Sequence, residues 1–247
     1  PALDAIEHLA TNPRNIVVQS LDVWFTEEID PSSFDYSDIT LTRDGGPNLI
    51  TSVVEVTRIS PVQYRIRNFN WVVGLEGVYT VTVDASEVQD LVGNAGSGSI
   101  PETWAMKTSS PDAPTDLYIT PDLGISDLDG LTSSLTPVLH GTLPAAGLTV
   151  RVYNETQGVD LGIATREGTT FSKPLVFADP GVYRLRVYAV DDAANVSADA
   201  FFDLVIETTR PDLEIAAVTP NPRATAVESI EMTFSELINP MTFTQAD

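Results

Sequence analysis

The sequence predicts an all-β protein made of tandem two-sheet sandwiches, two complete and a third only begun, and three observations carry that prediction. Apolar residues recur at period two, as in Tyr79, Val81 and Val83 or in Tyr183, Leu185, Val187 and Ala189, which is the pattern of strands with one buried face. The same grammar occurs twice: a Gly-x-Tyr turn, a strand and an Asp-to-Asn loop fill 77–94 and again 181–195, with the two tyrosines 104 residues apart. That spacing matches the roughly 100 residues of one sandwich. No window has helical periodicity.

Taken in order, Leu21, Val23 and Phe25 alternate with Asp22, Trp24 and Thr26, giving a half-buried strand. Ile29-Asp30-Pro31-Ser32-Ser33-Phe34 reads as a tight turn, with Asp and Ser supplying local hydrogen bonds and Pro fixing φ. A strand at 39–42 follows, and Asp44-Gly45-Gly46 turns the chain again. Further strands are predicted at 50–59, 62–68 and 78–84, with a last one around Trp104-Ala105-Met106. The segment 108–113 reads as a short linker, stiffened by Pro111 and followed by Pro114. A second sandwich occupies 114–209. Each Gly-x-Tyr strand places its tyrosine at the corner position typical of immunoglobulin-like sandwiches, where the hydroxyl bonds back to upstream backbone.

The third piece, 210–247, is recognised by repetition. Asn12-Pro13-Arg14 returns as Asn221-Pro222-Arg223, and at the same offset of 209 residues the match runs on to Asp38 against Asp247. Eleven of these 27 aligned positions are identical, and Leu21 for Ile230, Asp22 for Glu231 and Asp30 for Asn239 are close exchanges. The repeating unit is therefore about two modules long.

The blocks Val23-Trp24-Phe25-Thr26-Glu27-Glu28-Ile29-Asp30-Pro31 and Met232-Thr233-Phe234-Ser235-Glu236-Leu237-Ile238-Asn239-Pro240 resemble the Phe-Ser-Glu-x-Ile-Asp/Asn-Pro signature of bacterial Ig-like domains first noted in S-layer proteins. The resemblance covers 1–107 and 211–247, with Thr26 and Glu28 departing from the usual residues. Residues 122–132, then Thr136-Pro137-Val138-Leu139-His140-Gly141-Thr142 and 148–153, are similar to the Ig-like repeats of giant bacterial adhesins, and Ile206-Glu207-Thr208-Thr209-Arg210-Pro211 is similar to their exit linker. Here Ala194 replaces a family glycine and Glu207 the linker aspartate. The resemblance implies an extracellular or cell-surface spacer of S-layers, adhesins, filaments or multidomain surface enzymes, with no chemistry of its own.

Composition narrows the function classes. The 247 residues contain no run approaching the ~20 apolar residues of a membrane helix, so no membrane insertion is expected. Pro1-Ala2-Leu3-Asp4 has neither the charged start nor the apolar core of a leader, and the sequence reads as a fragment or a mature segment. Acidic residues outnumber basic ones 35 to 13, a net charge of −22, which argues against nucleic acid as a partner. Cysteine is absent and the two histidines, His8 and His140, fall in different modules, so His triads and Cys or His metal sites lack material and no enzyme is expected.

Excess carboxylate can be plain solvation, or it can gather calcium, a cation that takes oxygen ligands. If calcium binds, the expected places are the junctions. Asp191, Asp192 and Asn195 would meet Asp112 and Asp116; Asp90 and Asn94 would face a preceding module; Glu207 and Asp212 would face the third. The alternative is that Asp and Asn merely favour turns. The expected partners are neighbouring Ig-like modules of the same chain or of neighbouring protomers, and a glycan, for which Trp24 and Trp71 are candidate stacking platforms. The reading is a non-catalytic stalk or fibre segment of a large bacterial surface or secreted repeat protein, calcium-rigidified; the alternative is a carbohydrate-binding or spacer region of an exported multidomain enzyme.

Overall fold

The computed structural model describes residues 1–123, 126 and 128–244. Gly124, Ile125 and Asp127 of the adhesin-like motif, and Asp247 at the end of the repeat, lie outside the described residues. The chain divides into two compact units, residues 1–111 with 190–197, and residues 112–189 with 198–247.

The first unit holds seven strands: β1 (Leu3–Ile6), β2 (Ser20–Phe25), β3 (Ile39–Arg43), β4 (Glu55–Arg58), β5 (Gln63–Arg67), β6 (Gly77–Asp84) and β7 (Ser99–Met106). One sheet has the order β1-β2-β5-β4 and the other β3-β6-β7, every pair antiparallel. Lettered A to G in chain order, these sheets are ABED and CFG, the constant-type immunoglobulin topology. The alternating inward residues, Leu21, Val23, Phe25, Leu41, Ile66, Val81 and Val83, are buried between them. Three edge-to-face rings, Phe25, Phe34 and Tyr64, fill one part of this core, and Tyr79 stacked on the fully buried Trp104 fills another.

In the second unit β8 (Thr115–Thr120), β10 (Val138–Thr142), β14 (Thr170–Pro174) and β13 (Thr165–Glu167) form one sheet, in the order β13-β14-β10-β8. The other has the order β12-β11-β15-β16-β9, from β9 (Leu131–Thr132), β11 (Thr149–Asn154), β12 (Val159–Ile163), β15 (Gly181–Val190) and β16 (Ala200–Ile206). The last pair, β16 with β9, is parallel. Leu139, Val150, Val152, Leu185, Val187 and Leu204 close the core.

Both tyrosine corners form. Tyr79 Oη donates to the Leu75 carbonyl at 2.8 Å and Tyr183 Oη to that of Asp179 at 2.6 Å, and both rings are buried. Each bond spans four residues, so it ties the loop before the strand to the strand itself. The chain is thus a pair of immunoglobulin-type sandwiches in tandem. Among the described residues no helix is long and apolar enough to cross a membrane.

The repeated piece has structure of its own: β17 (Leu213–Ile215) pairs antiparallel with β18 (Met232–Phe234), and a single turn at Pro240–Thr242 follows. The periodicity argument does not reach β1, β9 and β17, because strands of two to four residues are too short to display a period.

Candidate functional site

The two Asp-to-Asn loops are the same object built twice. After β6, Asp90 Oδ1 accepts the amides of Val92 and Asn94 at 2.9 Å each, and Oδ2 accepts the Asn94 side-chain amide at 2.7 Å. After β15, Asp191 Oδ1 accepts the amides of Ala193 at 2.9 Å and Asn195 at 2.8 Å, and Oδ2 accepts Asn195 Nδ2 at 3.0 Å. Main-chain bonds close both turns, Asp90 N to Asn94 O at 3.1 Å and Asp191 N to Asn195 O at 3.0 Å. The aspartate that opens each loop, directly after β15 and six residues beyond β6, therefore satisfies amides that the turn would otherwise leave without acceptors.

The second loop does one thing more. It lies in the same compact unit as Lys107, and Asn195 Nδ2 donates to the Lys107 carbonyl at 2.8 Å. The Lys107 ammonium sits 2.7 Å from Asp192 Oδ1 and 3.2 Å from Asp191 Oδ2. Hydrogen bonds to Asp192 and Asp191 hold that ammonium above its ordinary pKa. Burial pushes the Asp191 carboxyl up, but bonds from the side chain and backbone of Asn195 and from Lys107 outweigh it, leaving Asp191 below the usual aspartate range. The next two residues are held as well: Glu76 Oε1 accepts the amides of Thr108 at 2.7 Å and Ser109 at 2.5 Å. These bonds from Ser109 and Thr108 keep the Glu76 carboxyl below its ordinary value.

The structure scatters the remaining calcium candidates. Asp112 is exposed in the second unit, and Asp116, exposed with φ of 50°, accepts a bond from the Thr115 hydroxyl at 3.0 Å. Glu207 accepts the Thr209 amide and donates its own amide to Thr132 O at 3.0 Å. Asp212 N bonds Ser235 Oγ at 2.8 Å. Among the described residues no three His, Cys, Asp or Glu side chains converge on a point that a metal ion could occupy. Around Asp191 both carboxylate oxygens accept N–H bonds, and the Lys107 ammonium lies 3.2 Å from Oδ2. Lys107 was the missed residue. One signal points to it, since it is one of two lysines in the chain and closes the first module.

The histidines are placed apart. His8 pairs with Glu102 at 3.1 Å on the first unit. His140, on β10, stacks on Tyr118 with centroids 4.9 Å apart and its Nε2 lies 2.8 Å from the Thr120 hydroxyl, while burial lowers its pKa. Of the aromatic platforms, Trp24 is half-buried on β2, whereas Trp71 is 74% exposed at the rim of a cleft of about 350 Å³ that also takes in Arg43, Leu49 and Leu75. Two Asn-x-Ser/Thr sequons carry buried asparagines, Asn154 and Asn195, both used in internal bonds.

No family model and no curated protein matches this chain. Solved structures similar to it include fibronectin(III)-like modules of Clostridium thermocellum CbhA, at 13% identity and TM-score 0.39 over 82% of this chain and 93% of that one. Domains from titin align at 14% identity and TM-score 0.44 over 81% and 65%. The N-terminal part of the bacterial S-layer protein SbsC aligns at 11% identity and TM-score 0.29 over 83% of this chain, which spans 44% of the S-layer chain. The sandwich assignment rests on the strand order and the two corners.

Proposed function

We propose that this chain is a non-catalytic structural segment of a large bacterial surface or secreted repeat protein, a stalk or fibre of immunoglobulin-type modules. The observation that carries the reading is the 209-residue repeat, which returns in sequence and in local structure, since arrays of one module type transmit length and stiffness rather than chemistry. In this proposal the segment is stiffened by protein groups, with Lys107, Thr108 and Ser109 fixed by Asp191, Asp192, Asn195 and Glu76. Pulling the chain from its two ends in a force microscope tests the stalk: two separate unfolding events are expected, each releasing roughly 30 nm for about 100 residues at 3.3–3.6 Å each. Smooth extension at low force would overturn it. Repeating the pull in chelator and in millimolar calcium tests the ion: unfolding forces that rise with calcium would give it a stiffening role, and unchanged forces would remove it.

A second reading is favoured by the exposure of Trp71 beside an apolar cleft: a glycan stacks on this ring and the module serves as a binding region. Tryptophan fluorescence during titration with oligosaccharides, compared with Trp71→Ala, tests it. An unchanged spectrum across plant, bacterial and animal glycans would remove it.

A further inference from the structure

The sheet β13-β14-β10-β8 of the second sandwich has one face in the core and one in solvent. Leu139, Gly141 and Phe171 are buried on the inner side, and a Cβ at Gly141 would meet Phe171 Cζ at 2.5 Å, so only glycine fits there. Strand alternation puts Tyr118, His140, Thr142, Thr170 and Ser172 on the outer side. There the structure has a cleft of about 370 Å³ whose lining includes Tyr118, His140, Thr142, Thr165 and Ser172, a volume in the range of small-ligand sites.

The register lays these side chains out in rows that cross the strands. Tyr118 pairs with His140, His140 with Ser172 and Ser172 with Thr165, one residue from each strand of the four-stranded sheet. Thr142 pairs with Thr170, and Thr170 with Glu167, in the next row. Neighbouring strands lie about 4.7–4.9 Å apart, so each row offers side chains at about the spacing of successive units in an extended sugar chain.

The polar groups of the cleft are unengaged. Among the described residues the Tyr118, Thr142, Thr165 and Ser172 hydroxyls have no hydrogen-bond partner, and neither Arg166 nor Glu167, which also line the cleft, is in an ion pair. Other arginines of this sandwich do find carboxylates, Arg151 with Asp160 at 2.5 Å and Arg186 with Glu155 at 2.7 Å. One end of the cleft is aromatic: Tyr118 and His140 stack with centroids 4.9 Å apart, and Thr120 steadies the imidazole at 2.8 Å. Burial lowers the His140 pKa, so the ring is neutral at pH 7.

Charge narrows the ligand. Arg166 and Glu167 cancel, so the cleft has no net charge, while the chain as a whole carries −22 and repels polyanions. Unengaged donors and acceptors beside aromatic rings, with no net charge, fit a polyhydroxylated ring. We infer that this outer face binds a neutral, flat, extended polysaccharide chain that runs across the strands, with one sugar ring against the Tyr118–His140 pair and sugar hydroxyls on Ser172, Thr165, Arg166 and Glu167. The site shares no residue with the Trp71 cleft and stands or falls apart from it.

The test titrates the full chain with cellohexaose, a neutral β-linked chain that is flat and extended, and follows the backbone amides by NMR. The His140, Thr165 and Ser172 signals are expected to shift, with affinity at least 10-fold higher than for cellobiose. His140→Ala is expected to weaken binding at least 5-fold, and so is Arg166→Ala, an exposed position whose change leaves the core intact. Trp71→Ala is expected to leave these shifts unchanged. Unmoved signals in millimolar cellohexaose overturn the inference, as does binding that survives both His140→Ala and Arg166→Ala. Equal affinity for cellobiose overturns the chain as occupant in favour of a small sugar. Equal affinity for maltohexaose, whose linkages coil the chain, overturns the flat geometry, and tighter binding of polygalacturonate overturns the neutral class.

Discussion

Asn195 donates its side-chain amide to the main-chain carbonyl of Lys107, 88 positions earlier in the chain, and through its second contact holds Asp191 Oδ2. One amide group thus serves a loop and the end of a strand at once. Asn195→Ala removes the donor to the part-buried Lys107 carbonyl and one of two partners of the buried Asp191 Oδ2, and the expected loss is about 1–3 kcal/mol. Lys107→Met keeps the carbonyl bond and removes only the ammonium, whose side chain is 43% exposed, so solvent screening holds the expected loss to about 1 kcal/mol or less. Urea unfolding of the two variants should therefore rank Asn195→Ala as the weaker protein, and the reverse order would mean that the ion pair dominates.

Acid should weaken the first unit through Asp22 as well as Asp191. The Arg65 hydrogen bonds hold the Asp22 carboxyl below its ordinary value of 3.8 against the opposing effect of burial, with Gln63 adding to the lowering. A carboxyl whose folded pKa is depressed binds fewer protons in the fold than in the unfolded chain. Its stabilisation is present above the ordinary value and is lost as pH falls through the folded one. Asp38 acts in the opposite sense, because burial raises its pKa. Stability measured by urea from pH 6 down to pH 2 should fall below about pH 4, and Asp22→Asn should flatten that fall while lowering the plateau. An unaltered slope in Asp22→Asn would show that other carboxylates set the acid limit.

The corners give a matched pair of tests. Tyr183→Phe and Tyr79→Phe each remove one hydroxyl that bonds a main-chain carbonyl four residues upstream, at 2.6 and 2.8 Å, and leave the ring packing intact. Each should lower stability by about 1 kcal/mol. A Tyr183→Phe chain that melts with the parent would show that water replaces the hydroxyl without cost.

These tests separate what the sequence displays from what it hides. Period-two alternation marks β2, β6 and β15 because each is a six- to ten-residue strand with one face in the core. The tyrosine corner is equally visible, being a local motif whose partner lies four residues away. The Asp-to-Asn loops are visible as turns, but their ligand is not: the pattern encodes aspartates that bind their own loop amides, and composition alone does not separate that from a metal site. Lys107 reaches Asp191 across 84 positions of chain, and no local pattern records such a pairing. Trp104 is hidden for a similar reason, since its ring is fixed by stacking on Tyr79 across the β6–β7 pair.

The substitution of alanine for glycine in the second loop leads to the last test. Ala194 has φ of +67°, and Gly93, its counterpart in the first loop, has φ of +88°. Both lie in the left-handed region, which costs a residue bearing a Cβ about 1–2 kcal/mol and glycine nothing comparable. The left-handed residue turns the next amide back to the loop's aspartate, Asn195 N to Asp191 Oδ1 at 2.8 Å and Asn94 N to Asp90 Oδ1 at 2.9 Å, so the strain is held in place by these hydrogen bonds. Ala194→Gly relieves it but enlarges the freedom of the unfolded chain, an opposing effect of about 0.4–1 kcal/mol. The net expectation is a gain of about 0.5 kcal/mol. Gly93→Ala runs the comparison backwards: the added methyl meets no atom within 4 Å, so the expected loss, also about 0.5 kcal/mol, is torsional and owes nothing to packing. Opposite signs for the two variants in urea unfolding are required. A destabilised Ala194→Gly would mean that the methyl of Ala194 makes contacts worth more than the backbone strain it imposes.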